Sequence, residues 1–165
     1  MRIYGEFFID DFNYKHPHTN EPNEIGVGVG IVKYLKDFPI NYIWVEYRAV
    51  TAWVYNWKRA AYRLLFYGKP FGNSFGNDGD KLMIKLCRFN NKKLFEIDYE
   101  ILRKGEGEIT DTWPSYFPDN WFLTGQEKIT HTFDFKLVLL PRMEFKFSFE
   151  IPYKKKVYLG LSIWV

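Results

Sequence analysis

Cysteine is almost missing from this chain. The single Cys87 among 165 residues excludes an internal disulfide framework and any zinc site built on cysteines. No apolar run is long enough to cross a bilayer as a helix. The start, Met1-Arg2-Ile3-Tyr4-Gly5-Glu6, lacks the long apolar stretch and small-residue cleavage site of an export signal. These gaps lead us to expect no membrane span and synthesis in a reducing cytoplasm. An excess of one charge is missing too. Lys and Arg number 23 against 20 Asp and Glu, and a net charge of +3 makes nucleic acid an unlooked-for partner.

Aromatic residues, by contrast, are abundant: 16 Phe, 12 Tyr and 6 Trp make up 21% of the chain. Such side chains fit a pleated, half-buried surface and so favour strands. A chain of this length fits one domain, 1–165, and can bury a core without metal or disulfide staples.

Apolar and polar residues alternate with period two almost from end to end. Ile3, Gly5, Phe7 and Ile9 alternate with Arg2, Tyr4, Glu6 and Phe8. Ile25, Val27, Val29 and Ile31 alternate with Gly26, Gly28 and Gly30. The pattern recurs at Ile43–Ala49, Leu82–Leu86, Phe95–Ile101, Ile129–Leu139, Met143–Ile151 and Val157–Val165. About eight antiparallel strands are expected, one face apolar and one polar, in a jelly-roll-like β-sandwich or a barrel. The glycine run lies inside a strand and opens no helix, so it is no dinucleotide loop. It leaves one face bare, for neighbouring rings of the fold to cover or, second, for a partner chain.

Parity constrains the pairing, because residues directly opposite in an antiparallel ladder share a face. A tight turn at 90–93 sets Leu86 opposite Ile97, Ile84 opposite Tyr99 and Lys85 opposite Asp98. Across Pro141-Arg142 a simple two-residue link would set Leu139 opposite Glu144. An odd loop, a β-bulge or a change of sheet each resolves that conflict. By the same alternation Phe145, Phe147 and Phe149 are expected in the core. One segment breaks the period: from Thr51 to Tyr67, Trp53, Trp57, Ala60, Ala61 and Leu64 fall at helical spacing. A short helix is expected there, capped by Thr51 and stopped by Gly68 and Pro70.

The chemical motifs are thin. His16-Pro17-His18 resembles the His-x-His of the cupin pattern, but Glu21 comes too early and Glu24 too late, and no motif surrounds His131. A solvated loop is the expectation, with His16 and His18 the only weak metal candidates and no cofactor. Glu46, in Tyr42-Ile43-Trp44-Val45-Glu46-Tyr47, looks like a catalytic strand of small jelly-roll xylanases, yet no second Glu has such a setting. Asn77-Asp78-Gly79-Asp80 lacks the further acids of a calcium loop and is expected to be a turn. Lys154-Lys155-Lys156 reads as a hairpin tip.

With no catalytic cluster, the expected function is a non-enzymatic structural or assembly protein, such as a virion capsid, turret, decoration or tail-associated subunit. Its contact surface is expected in the aromatic loop segments, at Phe71, Phe75, Trp113, Tyr116, Phe117 and Trp121, which suit self-association or protein partners. The alternative is a glycan-binding β-sandwich using Trp44, Trp113 or Trp121 as platforms. A glycosidase-like enzyme comes third.

Overall fold

The computed structural model describes residues 1–11, 23–36, 39–54, 65–66, 69–70, 74–90, 93–108, 111, 122–140 and 143–152. They form an all-β, antiparallel structure, and none of them is helical. Nine strands follow in chain order: β1 (Arg2–Asp11), β2 (Glu24–Tyr34), β3 (Tyr42–Val50), β4 (Leu65–Phe66), β5 (Lys69–Pro70), β6 (Gly79–Asn90), β7 (Lys93–Lys104), β8 (Lys128–Leu140) and β9 (Met143–Pro152). Seven make one sheet in the order β1-β2-β3-β6-β7-β8-β9, and β4 pairs with β5 in a separate hairpin. The described residues thus form one meandering sheet rather than two packed ones, each long strand beside its predecessor. The expected strand at Val157–Val165 and the lysines 154–156 lie outside the described residues.

The period-two pattern sets the register as parity requires. In the β6–β7 pair Leu86 faces Ile97, Ile84 faces Tyr99 and Lys85 faces Asp98, with Asn90 opposite Lys93 closing the turn. Between β8 and β9 Leu140 faces Met143, but the register shifts between Val138 and Leu140. This is the β-bulge solution: Leu139 is the extra residue, and the apolar positions realign as Leu137 with Phe145 and Phe135 with Phe147.

The expected helix at 51–67 is not seen at its described ends. Ala52–Val54 form a turn, and Leu65 and Phe66 are the strand β4, facing Pro70 and Lys69; 55–64 lie outside the described residues. Thr51 is not a helix cap. Its hydroxyl accepts from the Ile25 amide at 3.0 Å and donates to the Asn23 carbonyl at 3.1 Å, prolonging the β2–β3 ladder by one rung. At the sheet's other end Asn41 does the same for β3 and β6. Its side chain donates to the Phe89 carbonyl (2.7 Å) and accepts from the Phe89 amide (2.9 Å).

The links alternate in kind. Those at one end of the sheet, 35–41, 91–92 and 141–142, are short. Those at the other, 12–23, 51–78 and 105–127, are long. A small core sits at the long-link end, where Val50 and Val54 pack with Phe8 and Phe75.

Candidate functional site

The register sorts the side chains onto two faces. On one stand Ile3, Phe7 and Ile9 of β1, then Val27, Val29 and Ile31 of β2, and the face continues over every strand to Phe147, Phe149 and Ile151 of β9. On the other stand Tyr4, Glu6, the three β2 glycines, Trp44, Glu46, Arg48, Lys81, Lys85, Glu96, Asp98 and Asp134. In a sheet packed in water the apolar face is the hidden one. Here the accessibility runs the opposite way. Phe7 is 67% exposed, Val29 50% and Phe147 45%, whereas Glu46 is 7% exposed. Among the strand residues whose burial is described, every buried one except Asp80 points to the polar face: Glu24, Gly26, Gly28, Gly30, Glu46, Val50, Gly79, Met83 and Cys87. Phe147 is therefore not a core residue of this chain, and neither is Phe149, which is half-buried; the Phe145 side chain lies outside the described set. The phase of their alternation matches the register, but at Phe147 the apolar side is not covered.

The polar face is built on the bare glycine strand. The Tyr4 ring lies across Gly30 so closely that a Cβ there would overlap it, and the side chains of Arg48 and Glu6 lie against Gly28. Covering rings from within the fold were the expectation at this strand, and Tyr4 and, at Gly26, Phe8 supply them. The Tyr4 hydroxyl donates to the Glu46 carboxylate and accepts from Trp44 Nε1 at 2.7 Å. Glu46 Oε1 stands 2.8 Å from Arg48 Nε, and Arg48 Nη2 stands 3.5 Å from Glu6 Oε2. Further across, Lys81 pairs with Glu100 at 3.5 Å, and Lys85 pairs with Glu96 at 3.2 Å and Asp98 at 3.0 Å. The Cys87 thiol donates to Glu96 at 3.4 Å. Cross-strand pairs of opposite charge stabilise a ladder, and in a covered setting they also satisfy groups that would otherwise be costly to desolvate. Asp98 and Asp134 are directly opposite each other, and one oxygen of each has no hydrogen-bond partner.

A second polar cluster closes the long-link end. Asp78 is fully buried with φ +54°, and its carboxylate accepts from the Gly107 amide (2.8 Å), the Thr124 amide (3.0 Å) and the Thr124 hydroxyl (2.5 Å). Asn77 donates from its side chain to the Ala52 carbonyl, and Lys104 Nζ donates to the carbonyls of Asn77 and Gly107, both at 2.6 Å. Two of the long connections, 51–78 and 105–127, are thus tied at one point. Gly105 belongs there because a Cβ would run into the Asp78 carboxylate. Asp80 sits beside this knot on the apolar face, held by Arg103 and by the Tyr47 hydroxyl at 2.8 Å. Of the turn expected at 77–80, Asn77 and Asp78 form a bend held by these bonds, whereas Gly79 and Asp80 already open β6. Asn77-Asp78-Gly79-Asp80 was a readable turn signal, but its long-range partners Gly107 and Thr124 were not.

Of the residues expected at a contact surface, only Phe75 is described, and it is half-buried against Val50 and Val54 rather than offered to a partner. Phe71, Trp113, Tyr116, Phe117 and Trp121, like His16 and His18, lie outside the described residues. Trp44 is half-buried and hydrogen-bonded through its ring nitrogen, so it is not an open sugar platform. Glu46 is engaged by Tyr4 and Arg48, an arrangement that orients a carboxylate and holds it ionised rather than freeing it to act as an acid. Among the described residues no three His, Cys, Asp or Glu side chains group as metal ligands. A cavity of about 430 Å³ at the short-link end, lined by Pro39, Ile40, Arg88, Asn90, Leu94, Phe95 and Leu137, is largely apolar and lacks a convergent polar set. Compared with family models, with curated proteins and with solved structures, the chain matches none.

Proposed function

We propose that the chain is a non-enzymatic structural component whose working surface is the apolar face of the seven-stranded sheet. One observation carries the reading: that face has exposed apolar side chains on β1, β2, β3, β8 and β9 and is half-buried on β6 and β7, while the buried residues of the described strands other than Asp80 lie on the polar face. Exposed apolar side chains on five strands of one face exceed what a lone water-borne protein presents, so its setting in use includes an apolar partner. The polar face supports the same reading from the other side. Among the described residues its charges pair with each other, and the one thiol beside a carboxylate, Cys87 at Glu96, is buried, with burial first and then Glu96 pushing its pKa up to about 12, so it is no ready nucleophile. A subunit of a virion is one instance of such a component, its neighbour covering the face. A glycan platform is less well supported, since Trp44 is engaged internally.

The test uses Val29→Asp and Phe147→Asp in the full chain. Each is expected to reduce self-association or incorporation into the native assembly at least tenfold, with the β-sheet circular dichroism retained. A glycan array run on the same samples is expected to show no binding. A wild-type chain that stays monomeric in plain buffer with Val29 and Phe147 open to water, and that also leaves them open in the presence of lipid vesicles, would refute the proposal.

A further inference from the structure

We infer that the partner of the apolar face is the hydrocarbon of a lipid bilayer, so that the seven strands are wall strands of a transmembrane β-barrel whose ion-paired face turns inward. This rests on the reading above, that the apolar face is the working surface, and names what covers it.

The sidedness points to lipid rather than to a second copy. Two sheets packed face to face in water leave their polar faces outermost and wet. In this chain the polar face is the more covered one: Glu46, Met83, Cys87 and the β2 glycines are buried there, beside a lattice of ion pairs, within β3 at Glu46–Arg48 and across β6 and β7 at Lys81 and Lys85. Apolar outside and polar, mutually satisfied side chains inside is the arrangement of a barrel wall in a membrane.

Three independent features agree. The seven strands run from 9 residues in β3 to 13 in β8, and a tilted strand needs about 9–11 residues to cross the hydrocarbon. The links are short at one end of the sheet and long at the other, the asymmetry of membrane barrels. The apolar band also has charged limits: Lys33 and Arg88 bound it at the short-link end, and Asp80 with Arg103 bounds it at the other. Along β6 Arg88 and Asp80 are eight residues apart, about 27 Å of strand. At about 40° of tilt that becomes roughly 21 Å, near the ~25 Å band of such barrels, and an arginine side chain reaches outward to its interface. Within the band the polar groups are matched, His131 Nδ1 lying 3.0 Å from the Tyr99 hydroxyl. No helix among the described residues is long and apolar enough to cross a membrane.

The experiment places single cysteines in the full-length C87S chain, at Val29 and Phe133 on the apolar face and at Thr132 on the polar face. Each is labelled with a polarity-sensitive fluorophore, and the protein is folded from urea into phosphatidylcholine vesicles with or without brominated acyl chains. Retained β-sheet circular dichroism screens each variant, and two apolar positions guard against one that fails to fold. Bromination is expected to quench the probes at 29 and 133 at least twofold and the probe at 132 by less than a fifth. Equal quenching at all three positions, or none, overturns the inference. If the chain instead forms a defined dimer in buffer with positions 29 and 133 protected, lipid is excluded while the working-surface reading stands. A water-exposed monomer that ignores the vesicles removes both.

Discussion

Replacing Asp78 by alanine tests whether the buried carboxylate ties down the long-link end of the sheet. Its oxygens take the amides of Gly107 and Thr124 and the Thr124 hydroxyl. Deleting them strands two amides that the chain holds in place; each buried, unmade hydrogen bond costs about 1–3 kcal/mol. The hydroxyl can turn elsewhere and adds little. Asp78 also has φ +54°, where alanine loses roughly 1 kcal/mol that Asp or Asn largely avoids. The sum is a loss of roughly 3–7 kcal/mol. Asp78→Asn keeps one acceptor oxygen and tolerates the backbone, so its expected loss is nearer 1–2 kcal/mol. Equilibrium urea unfolding, followed by tryptophan fluorescence in the same medium for all three proteins, measures both. Hydrogen exchange at Gly107 and Thr124 should accelerate in the alanine variant. A loss below about 1 kcal/mol for alanine, or an asparagine variant as unstable as alanine, would refute the account.

Three further outcomes follow from the two faces. Gly30→Val should destabilise by about 1–3 kcal/mol, the range for forcing methyl groups into filled space, because its side chain would displace the Tyr4 ring from Glu46 and Trp44; no change in unfolding midpoint would mean the ring moves freely. Phe147→Ala should lower the stability of the unassembled chain by less than about 1.5 kcal/mol, well under the 3–5 of a buried ring, and a loss of 3 kcal/mol or more would mean the chain itself covers that face. Cys87, buried on the polar face, should react with maleimide at least tenfold faster in denaturant than in the folded protein, and equal rates would contradict a covered polar face.

Pairing was legible in the sequence because it obeys parity. Leu86 had to meet Ile97 once the turn length was fixed, and the conflict at Pro141-Arg142 was visible as three solutions, of which the chain uses the bulge at Leu139. The glycine strand also declared itself, since bare backbone at 26, 28 and 30 demands a cover. The knot was not legible in the same way. Asp78 announces a turn locally, but Thr124 lies 46 residues away, and no period links them. The helix expected at 51–67 failed at its described ends for a related reason: Thr51 can cap a helix or close a ladder, and only the position of Ile25 decides between them.

Which face meets water is the part that alternation cannot carry. A strand reading apolar, polar, apolar is the same string whether its apolar side packs inside a sandwich or faces lipid around a barrel. Phe145-Lys146-Phe147-Ser148-Phe149-Glu150 pointed to a core by the first rule, and the structure instead leaves Phe147 accessible. What breaks the symmetry is the chemistry of the opposite side. In a sandwich the outward positions carry charges free to move in water, and glycine has no reason to gather among them. Here the non-apolar positions of β2 are Gly26, Gly28 and Gly30, filled by Tyr4, Arg48, Glu6 and Phe8 from the neighbouring strands, and the charges beside them are locked to one another. Small residues interleaved with interlocking large ones are a packing solution for a confined space. A sheet whose polar side carries that solution has its interior on the polar side, and its apolar side is left to meet something other than water.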